Sequence, residues 1–171
     1  LYSNTGNDVI TVTAGDDLEN PAHNANTLIT EDARRLRIFG QQGTDKINAL
    51  TATLALEIFG EDDAAWIYGS RGNDVIYGGL GDNTIFGGYG KDKIFAESGN
   101  DIIFGDNGQI TPADGMYPRT LLTTDTTDTL NNNDNNDQIN AGTGNNKIFG
   151  GAGDDAIDSD SVSENIIFGD G

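Results

Sequence analysis

Residues 78–95, GGLGDNTIFGGYGKDKIF, give nearly the same nine-residue pattern twice. Each copy opens with two glycines and has a third glycine at its fourth position. Asp or Asn follows at the sixth position and isoleucine at the eighth. We number the positions of this unit one to nine throughout. Further copies with one or more departures stand at residues 69–77 (GSRGNDVIY), 96–104 (AESGNDIIF) and 150–158 (GGAGDDAID).

Isoleucine at the eighth position extends the pattern well beyond these copies. It recurs every nine residues at Ile58, Ile67, Ile76, Ile85, Ile94 and Ile103. The same interval holds upstream at Ile38 and Ile47 and downstream at Ile139, Ile148 and Ile157. The chain is therefore a tandem array of short units.

The unit predicts a turn and a strand rather than a helix. A nine-residue period matches no helical stripe, and this much glycine is costly inside helices. Each unit reads as a six-residue glycine-rich turn followed by a three-residue strand, with the eighth side chain facing inward. Two units then form one coil of 18 residues, and successive coils pair as parallel sheets. We expect an all-β solenoid in which Ile58, Ile76 and Ile94 share one sheet and Ile67, Ile85 and Ile103 the other.

This arithmetic stacks the sixth-position side chains in columns along the turns. Carboxylates about 4.8 Å apart repel one another strongly unless a cation lies between them. Glycines at the first, second and fourth positions allow positive φ, so that backbone carbonyls can face the same point. Such oxygen-rich, flexible cages suit Ca²⁺ better than Zn²⁺, Cu²⁺ or Mg²⁺.

The expected calcium ligands are thus the sixth-position side chains and the glycines of their turns. The side chains are Asp74, Asn83, Asp92, Asp101, Asp128, Asp137, Asn146 and Asp155. The expected neighbours are Asp74 and Asp92, Asn83 and Asp101, Asp128 and Asn146, Asp137 and Asp155. The glycines are Gly69, Gly72, Gly78, Gly79, Gly81, Gly87, Gly88, Gly90, Gly99, Gly105, Gly150, Gly151 and Gly153.

These residues resemble the RTX nonapeptide repeat, GGxGxDxUx with U aliphatic, a calcium-binding motif. Residues 87–94 and 150–157 match it in full. The resemblance implies a right-handed parallel β-roll with several Ca²⁺ ions between stacked glycine-rich turns. It also implies export by type I secretion, folding outside the cell, and a secreted or cell-surface location.

The quality of the pattern divides the chain into four parts. We expect degenerate β-roll coils at 1–57, a regular RTX β-roll at 58–108, an inserted loop at 109–127 and a second β-roll stretch at 128–171. The insertion breaks the count and carries two of the three prolines.

The composition excludes several classes of function. The net charge of −19 disfavours nucleic acid as a partner, since phosphate binding needs clustered Lys and Arg. No apolar stretch reaches the length of a membrane helix. Neither HExxH nor GxSxG occurs, so we expect no catalytic residues, no organic cofactor and no enzyme activity.

Two functions remain open. The first is a calcium-dependent structural module of a larger secreted or surface protein, such as a spacer, adhesin, surface layer or filament. Its partners would be calcium ions, neighbouring repeats of the parent chain and, through self-assembly, further copies of itself. The second is a secretion and folding appendage of an exported enzyme. Carbohydrate binding through the insertion is a weaker third idea, since nothing in its composition identifies a ligand.

A column of aromatic residues occupies the ninth position. It comprises Phe59, Tyr68, Tyr77, Phe86, Phe95, Phe104, Phe149 and Phe168. We expect these rings to stack on neighbours one coil away. The alternative is an outward ladder that contacts another chain or domain.

Overall fold

The computed structural model describes residues 9–12, 36–111, 120–124, 135–160 and 162–169. All regular secondary structure in these residues is β-strand. These residues contain no helix that is long and apolar enough to span a membrane. The strands are β1 (Val9–Thr11), β2 (Leu36–Phe39), β3 (Lys46–Asn48), β4 (Leu56–Phe59), β5 (Trp66–Tyr68), β6 (Val75–Tyr77), β7 (Thr84–Phe86), β8 (Lys93–Phe95), β9 (Ile102–Phe104), β10 (Gly108–Thr111), β11 (Thr120–Thr123), β12 (Gln138–Asn140), β13 (Lys147–Phe149), β14 (Ala156–Asp158) and β15 (Ile166–Phe168).

The strands form two parallel sheets that alternate along the chain. One sheet has seven strands in the order β1-β3-β5-β7-β9-β13-β15. The other has six strands in the order β2-β4-β6-β8-β12-β14. Apart from β10 and β11, which form a separate two-stranded sheet, consecutive strands lie on opposite sheets, and each pairs with the strand one coil away. The predicted all-β solenoid is confirmed.

The core is a double column of isoleucines, as the nine-residue interval predicts. On the six-stranded sheet, Ile58 pairs with Ile76 and Ile76 with Ile94. On the seven-stranded sheet, Ile67 pairs with Ile85 and Ile85 with Ile103. All six side chains are fully buried. Period-two alternation directs the seventh and ninth residues of each strand outward.

The coil length varies more than the uniform 18 residues of the prediction. The step from Asp74 to Asp92 is 18 residues, whereas that from Arg37 to Glu57 is 20. The step from Asn146 to Asn165 is 19 residues, and that from Asp92 to Asp137 is 45. Extra residues are accommodated in the turns, because the strand register would otherwise move isoleucine out of the core.

The 45-residue step contains the insertion. Both sheets continue across it, since β8 pairs with β12 and β9 pairs with β13. Within it, β10 and β11 form an antiparallel hairpin. Ile110 of this hairpin is buried with Ile102 and Phe104, and Leu121 packs against the same cluster. The hairpin therefore covers part of the outer face of the seven-stranded sheet.

The ninth-position rings stack as predicted, with centroids 4.7 to 5.2 Å apart. One ladder on the six-stranded sheet runs through Phe39, Phe59, Tyr77 and Phe95. The other, on the seven-stranded sheet, runs through Tyr68, Phe86, Phe104, Phe149 and Phe168. Only the second ladder has members that the structure buries, namely Phe86 and Phe104.

Candidate metal centre

The sixth-position side chains form two columns, one at the turn edge of each sheet. In each column, the Oδ1 atom accepts a hydrogen bond from the backbone N–H of the sixth residue in the preceding coil. The Oδ1 atom of Asp92 thus accepts from Asp74 at 2.8 Å, and that of Asp101 from Asn83 at 2.7 Å. Asp155 accepts from Asp137 at 2.9 Å. These three expected pairs are neighbours in adjacent coils.

The fourth expected pair is corrected by the register of the strands. Asn146 is the neighbour of Asp101, whose N–H donates to the Asn146 Oδ1 atom at 2.8 Å across 45 residues. The prediction paired Asn146 with Asp128 because it counted 18 residues back within the sequence. Asp128 itself lies outside the described residues.

Three aspartates carry a second oxygen for which the protein supplies no hydrogen bond. Asp92, Asp101 and Asp137 are almost completely buried, and their Oδ2 atoms have no partner among the described residues. A buried charge without a partner is unfavourable by several kcal/mol or more. These carboxylates therefore need either a proton or a cation.

The Oδ2 atoms face carbonyl oxygens at the first-position glycines. A Cβ atom placed on Gly87 would lie 2.6 Å from the Asp92 Oδ2 atom and 1.9 Å from the carbonyl oxygen of Gly105 in the next coil. One placed on Gly105 would lie 2.4 Å from the Asp137 Oδ2 atom and 2.2 Å from the Gly150 carbonyl oxygen. Only the absence of a Cβ atom lets the carboxylate and the carbonyl oxygen come this close together beside each of these two glycines, and these are two kinds of oxygen donor that Ca²⁺ takes.

The glycines serve two different structural needs. The sequence predicted positive φ at the first, second and fourth positions alike. The predicted first-position glycines do not have positive φ, and most are required instead because the next coil approaches too closely for a side chain. They are Gly69, Gly78, Gly87 and Gly105, whereas a Cβ atom on Gly150 would lie 2.4 Å from the Asp155 Oδ2 atom of its own turn. Gly72 and Gly81 likewise lie against backbone atoms of the preceding coil. Positive φ is found at Gly79, Gly88, Gly90, Gly99, Gly151 and Gly153.

The two asparagines in the columns are satisfied by the protein itself. The Asn83 amide donates to the Gly81 carbonyl at 2.7 Å, and its Oδ1 atom accepts from Ala65 at 2.9 Å. The Asn146 amide donates to Ala141 at 3.1 Å and to Gly144 at 3.3 Å. An amide nitrogen therefore occupies the place that the second carboxylate oxygen takes in an aspartate turn, and it removes the need for a cation there.

Asp74 also differs from the other aspartates. Its Oδ2 atom accepts the N–H of Ser70 at 2.6 Å, and its Oδ1 atom accepts the Ser70 hydroxyl at 3.0 Å and the N–H of Leu56 at 2.7 Å. Ser70 stands at the second position, where most good copies have glycine. Both oxygens of the Asp74 carboxylate thus accept hydrogen bonds from Ser70, whereas the Oδ2 atom of Asp92 has no such donor among the described residues.

The insertion interrupts a turn and not a strand. Gly105 and Asp106 hold the first two positions of this turn, and Asn135, Asn136 and Asp137 hold the last three, as shown by their contacts with the coil of residues 150–155. Asp106 is buried and accepts the N–H of Ala152 at 2.6 Å. Asp106 is not among the predicted site residues, although an Asp at the second position, which glycine usually holds, already marked it in the sequence as a further carboxylate of the turn.

Burial and like charges shift the acidities of these columns. Burial raises the pKa of Asp101 to about 7 and that of Asp137 to about 9. Burial also raises the pKa of Asp92 well above its ordinary value, and the charges of Asp137 and Asp74 raise it further. Asp106 raises the pKa of both Asp92 and Asp137. The common cause is negative charge that is held away from water.

No three acidic or histidine side chains in the described part of the chain converge on one point. An ion held here would therefore take only one or two carboxylates and complete its shell with backbone carbonyls. Oxygen donors in such a mixture favour Ca²⁺, which accepts six to eight ligands in flexible geometry.

Comparison with known protein families gives one match. The model for the RTX calcium-binding nonapeptide repeat matches four times, at residues 1–18, 59–88, 78–109 and 131–161. Together these matches cover more than half of the chain. No curated protein and no solved structure matches it.

Proposed function

Because the chain belongs to the family of RTX calcium-binding nonapeptide repeats, we propose that it is a structural module of a larger secreted or cell-surface protein. In this proposal the module folds on binding calcium outside the cell and serves as a spacer, adhesin segment, surface layer or filament. The family and its fold are those of a structural calcium-binding module rather than a catalytic one. The net charge of −19 supports the same reading, because it opposes compaction until cations neutralise it.

The observation that carries the proposal is the set of buried carboxylate oxygens without hydrogen bonds. Asp92, Asp101 and Asp137 would hold calcium, with Gly105 and Gly150 offering carbonyl oxygens beside two of them. Calcium would supply a positively charged partner for these oxygens. Asp74 and Asp155 lie at the two ends of the column that contains Asp92 and Asp137, and they would be its outer calcium ligands.

Calcium and folding are linked in this proposal. A ligand that binds only the folded chain stabilises it by mass action. If the sites have dissociation constants of about 10⁻⁴ to 10⁻³ M, as extracellular modules do, calcium outside the cell fills them and cytosolic calcium does not. The chain would then remain extended during export and fold after it.

A calcium titration tests the proposal. We expect the calcium-depleted chain near neutral pH to show little β-sheet circular dichroism and to gain it cooperatively on addition of calcium. Magnesium at the same concentration is the control and should act weakly, because it retains its water ligands. A chain that is already fully folded in excess chelator at this pH would contradict the proposal.

A further inference from the structure

A groove of 740 Å³ lies on the outer face of the seven-stranded sheet and borders the turn of Asn83, whose side chain is satisfied within the protein. Its floor follows the seventh-position residues of four adjacent strands, Trp66, Thr84, Ile102 and Lys147. Leu121 of the β10–β11 hairpin forms one side. Three strand spacings of about 4.8 Å make the floor roughly 14 Å long, which suits a chain-like ligand.

The groove exists where the repeat departs from the calcium motif. In residues 60–68, GEDDAAWIY, alanine replaces the polar residue at the fifth position and the aspartate at the sixth. Both Ala64 and Ala65 line the groove, and their small side chains give it depth beside Trp66. This unit therefore lacks the carboxylate of the sixth position, and it carries the only tryptophan of the chain.

One wall of the groove is apolar and flat. Trp66 is partly exposed, whereas its indole nitrogen is buried and forms no well-aligned hydrogen bond. The exposed surface of the ring is therefore carbon. Ile102 and Leu121 extend this apolar surface along the floor and the side. A ligand with a C–H face could lie against the ring and bury apolar area.

The opposite edge of the groove is polar. Asp82 and Asn100 are exposed and joined to each other, since the Asp82 Oδ1 atom accepts the backbone N–H of Asn100 at 2.7 Å. The Asn100 amide also donates to this Oδ1 atom at 3.3 Å, and its own oxygen accepts the N–H of Asn145 at 3.0 Å. The second carboxylate oxygen of Asp82 and the second amide hydrogen of Asn100 can therefore accept from and donate to hydroxyl groups of a ligand. Thr84 adds a hydroxyl between this pair and the Trp66 ring.

We propose that this groove binds a neutral oligosaccharide. A saccharide presents a C–H face to the Trp66 ring and hydroxyl groups to Asp82, Asn100 and Thr84. A polyanionic chain is disfavoured by the net charge of −19 and by Asp82, against Lys147 alone as a cation of the groove. A purely apolar ligand would remove water from the exposed Asp82 and Asn100 side chains without offering hydrogen bonds in return. The proposal does not depend on the cellular role proposed above.

Tryptophan fluorescence tests the proposal directly, because Trp66 is the only tryptophan. The calcium-loaded chain is titrated separately with cellohexaose, maltohexaose and mannohexaose, and with hexagalacturonate as the anionic counterpart. We expect a saturable change of emission with at least one neutral hexasaccharide and a weaker or absent response to hexagalacturonate. No saturable response to any neutral probe, or stronger binding of the anionic one, would overturn the proposal.

Variants measured by calorimetry localise the binding. We expect Trp66→Ala to weaken it by roughly tenfold or more and Thr84→Val by a few-fold. Ala64→Phe should fill the groove and abolish binding while leaving every polar partner in place. Tyr89→Ala, an aromatic change in a turn that does not line the groove, is the control and should bind as the unaltered chain does. Circular dichroism with calcium checks that each variant folds, and equal loss in Tyr89→Ala and Ala64→Phe would reject the groove as the site.

Discussion

The exchange of one atom at the sixth position decides whether a turn needs an ion. Asn83 places an amide nitrogen beside the Gly81 carbonyl and completes its hydrogen bonds within the protein. Asp101 stands at the same position one coil on and has an oxygen that nothing in the described protein satisfies. The array thus contains both turns that are self-sufficient and turns that depend on a cation.

Asp101→Asn should therefore stabilise the calcium-free chain and weaken its response to calcium. The new amide can donate to the Gly99 carbonyl as Asn83 donates to Gly81. Replacing a buried unpaired charge by a satisfied amide should raise the free energy of unfolding without calcium by about 1–3 kcal/mol. Circular dichroism without calcium, followed by calcium titration of both proteins, measures the difference, and the variant should have more β-sheet before calcium is added and gain less on its addition.

The reverse substitution serves as the matched control. Asn83→Asp should lower the calcium-free stability and increase the stabilisation by calcium, because it removes the donor to Gly81 and adds a buried charge. A lower calcium-free stability of Asp101→Asn would contradict this account of the columns.

The raised pKa values of the buried carboxyls predict that the calcium-free chain is more stable in acid than near neutral pH. A carboxyl whose folded pKa exceeds its unfolded value contributes most below the unfolded pKa, and the contribution is lost as pH rises through the folded pKa. The relevant values are about 7 for Asp101 and about 9 for Asp137. Stability without calcium should therefore fall continuously between about pH 4 and about pH 9.

Circular dichroism of the calcium-free chain at about pH 5 and about pH 8 checks this prediction, and more β-sheet is expected at the lower pH. Calcium should be removed by a chelating resin, because the affinity of soluble chelators itself changes with pH. Saturating calcium should largely abolish the difference, since the ion then takes the place of the protons. A calcium-free chain more stable at the higher pH would show that the columns do not control stability.

At the scale of elements, the two aromatic ladders have different surroundings. Phe104 is fully buried between Phe86 and Phe149 and beneath the hairpin. A Cβ atom on Gly108 would lie 2.4 Å from the Phe104 ring, so that only glycine allows the hairpin to pack this closely. Phe95 stacks on Tyr77 in the other ladder and stays partly exposed.

Phe104→Ala should consequently be among the most destabilising ladder substitutions. Loss of a fully buried phenylalanine costs about 3–5 kcal/mol. Phe95→Ala is the control and should cost less, because its ring is only partly buried. Thermal or urea unfolding in saturating calcium compares the two, and equal losses would indicate that the hairpin adds nothing to the packing of Phe104.

The whole molecule behaves as a linear stack in which each coil contacts its two neighbours. The insertion leaves and re-enters within a single turn, between Asp106 and Asn135, so that the stack continues across it. A solenoid built in this way can tolerate removal of the excursion if the turn is closed again.

Replacing residues 107–134 by a single glycine tests this view. The change shortens the step from Asp92 to Asp137 from 45 residues to the 18 of a regular coil. We expect the variant to fold with calcium as the full chain does. It should also melt at a lower temperature and bind more of a dye that reports exposed apolar surface, because Phe104 and Ile102 lose their cover. Failure to fold at saturating calcium would show that the insertion is part of the stack.

Much of the fold follows from the period of the sequence, because each unit makes the same local choice. The isoleucine interval predicted the two sheets, the inward face and the pairs Ile58–Ile76 and Ile67–Ile85. The sixth-position aspartates and the RTX motif predicted the family and its calcium binding. The assignment of individual ligands stays a prediction, with Asp92, Asp101 and Asp137 best supported by burial and unpaired oxygens.

Other properties arise only when distant coils come together. The partner of Asn146 is Asp101 and not a residue 18 positions away, because register follows the isoleucine core and the extra residues are excluded from it. The hairpin's place over Phe104 and the groove beside Trp66 depend on the same stacking. The sequence by itself therefore determined the repeating unit, the inward face and the chemistry of the columns. Only the tertiary structure decided which carboxylates remain unsatisfied, because hydrogen bonds between coils depend on the neighbour that the register supplies.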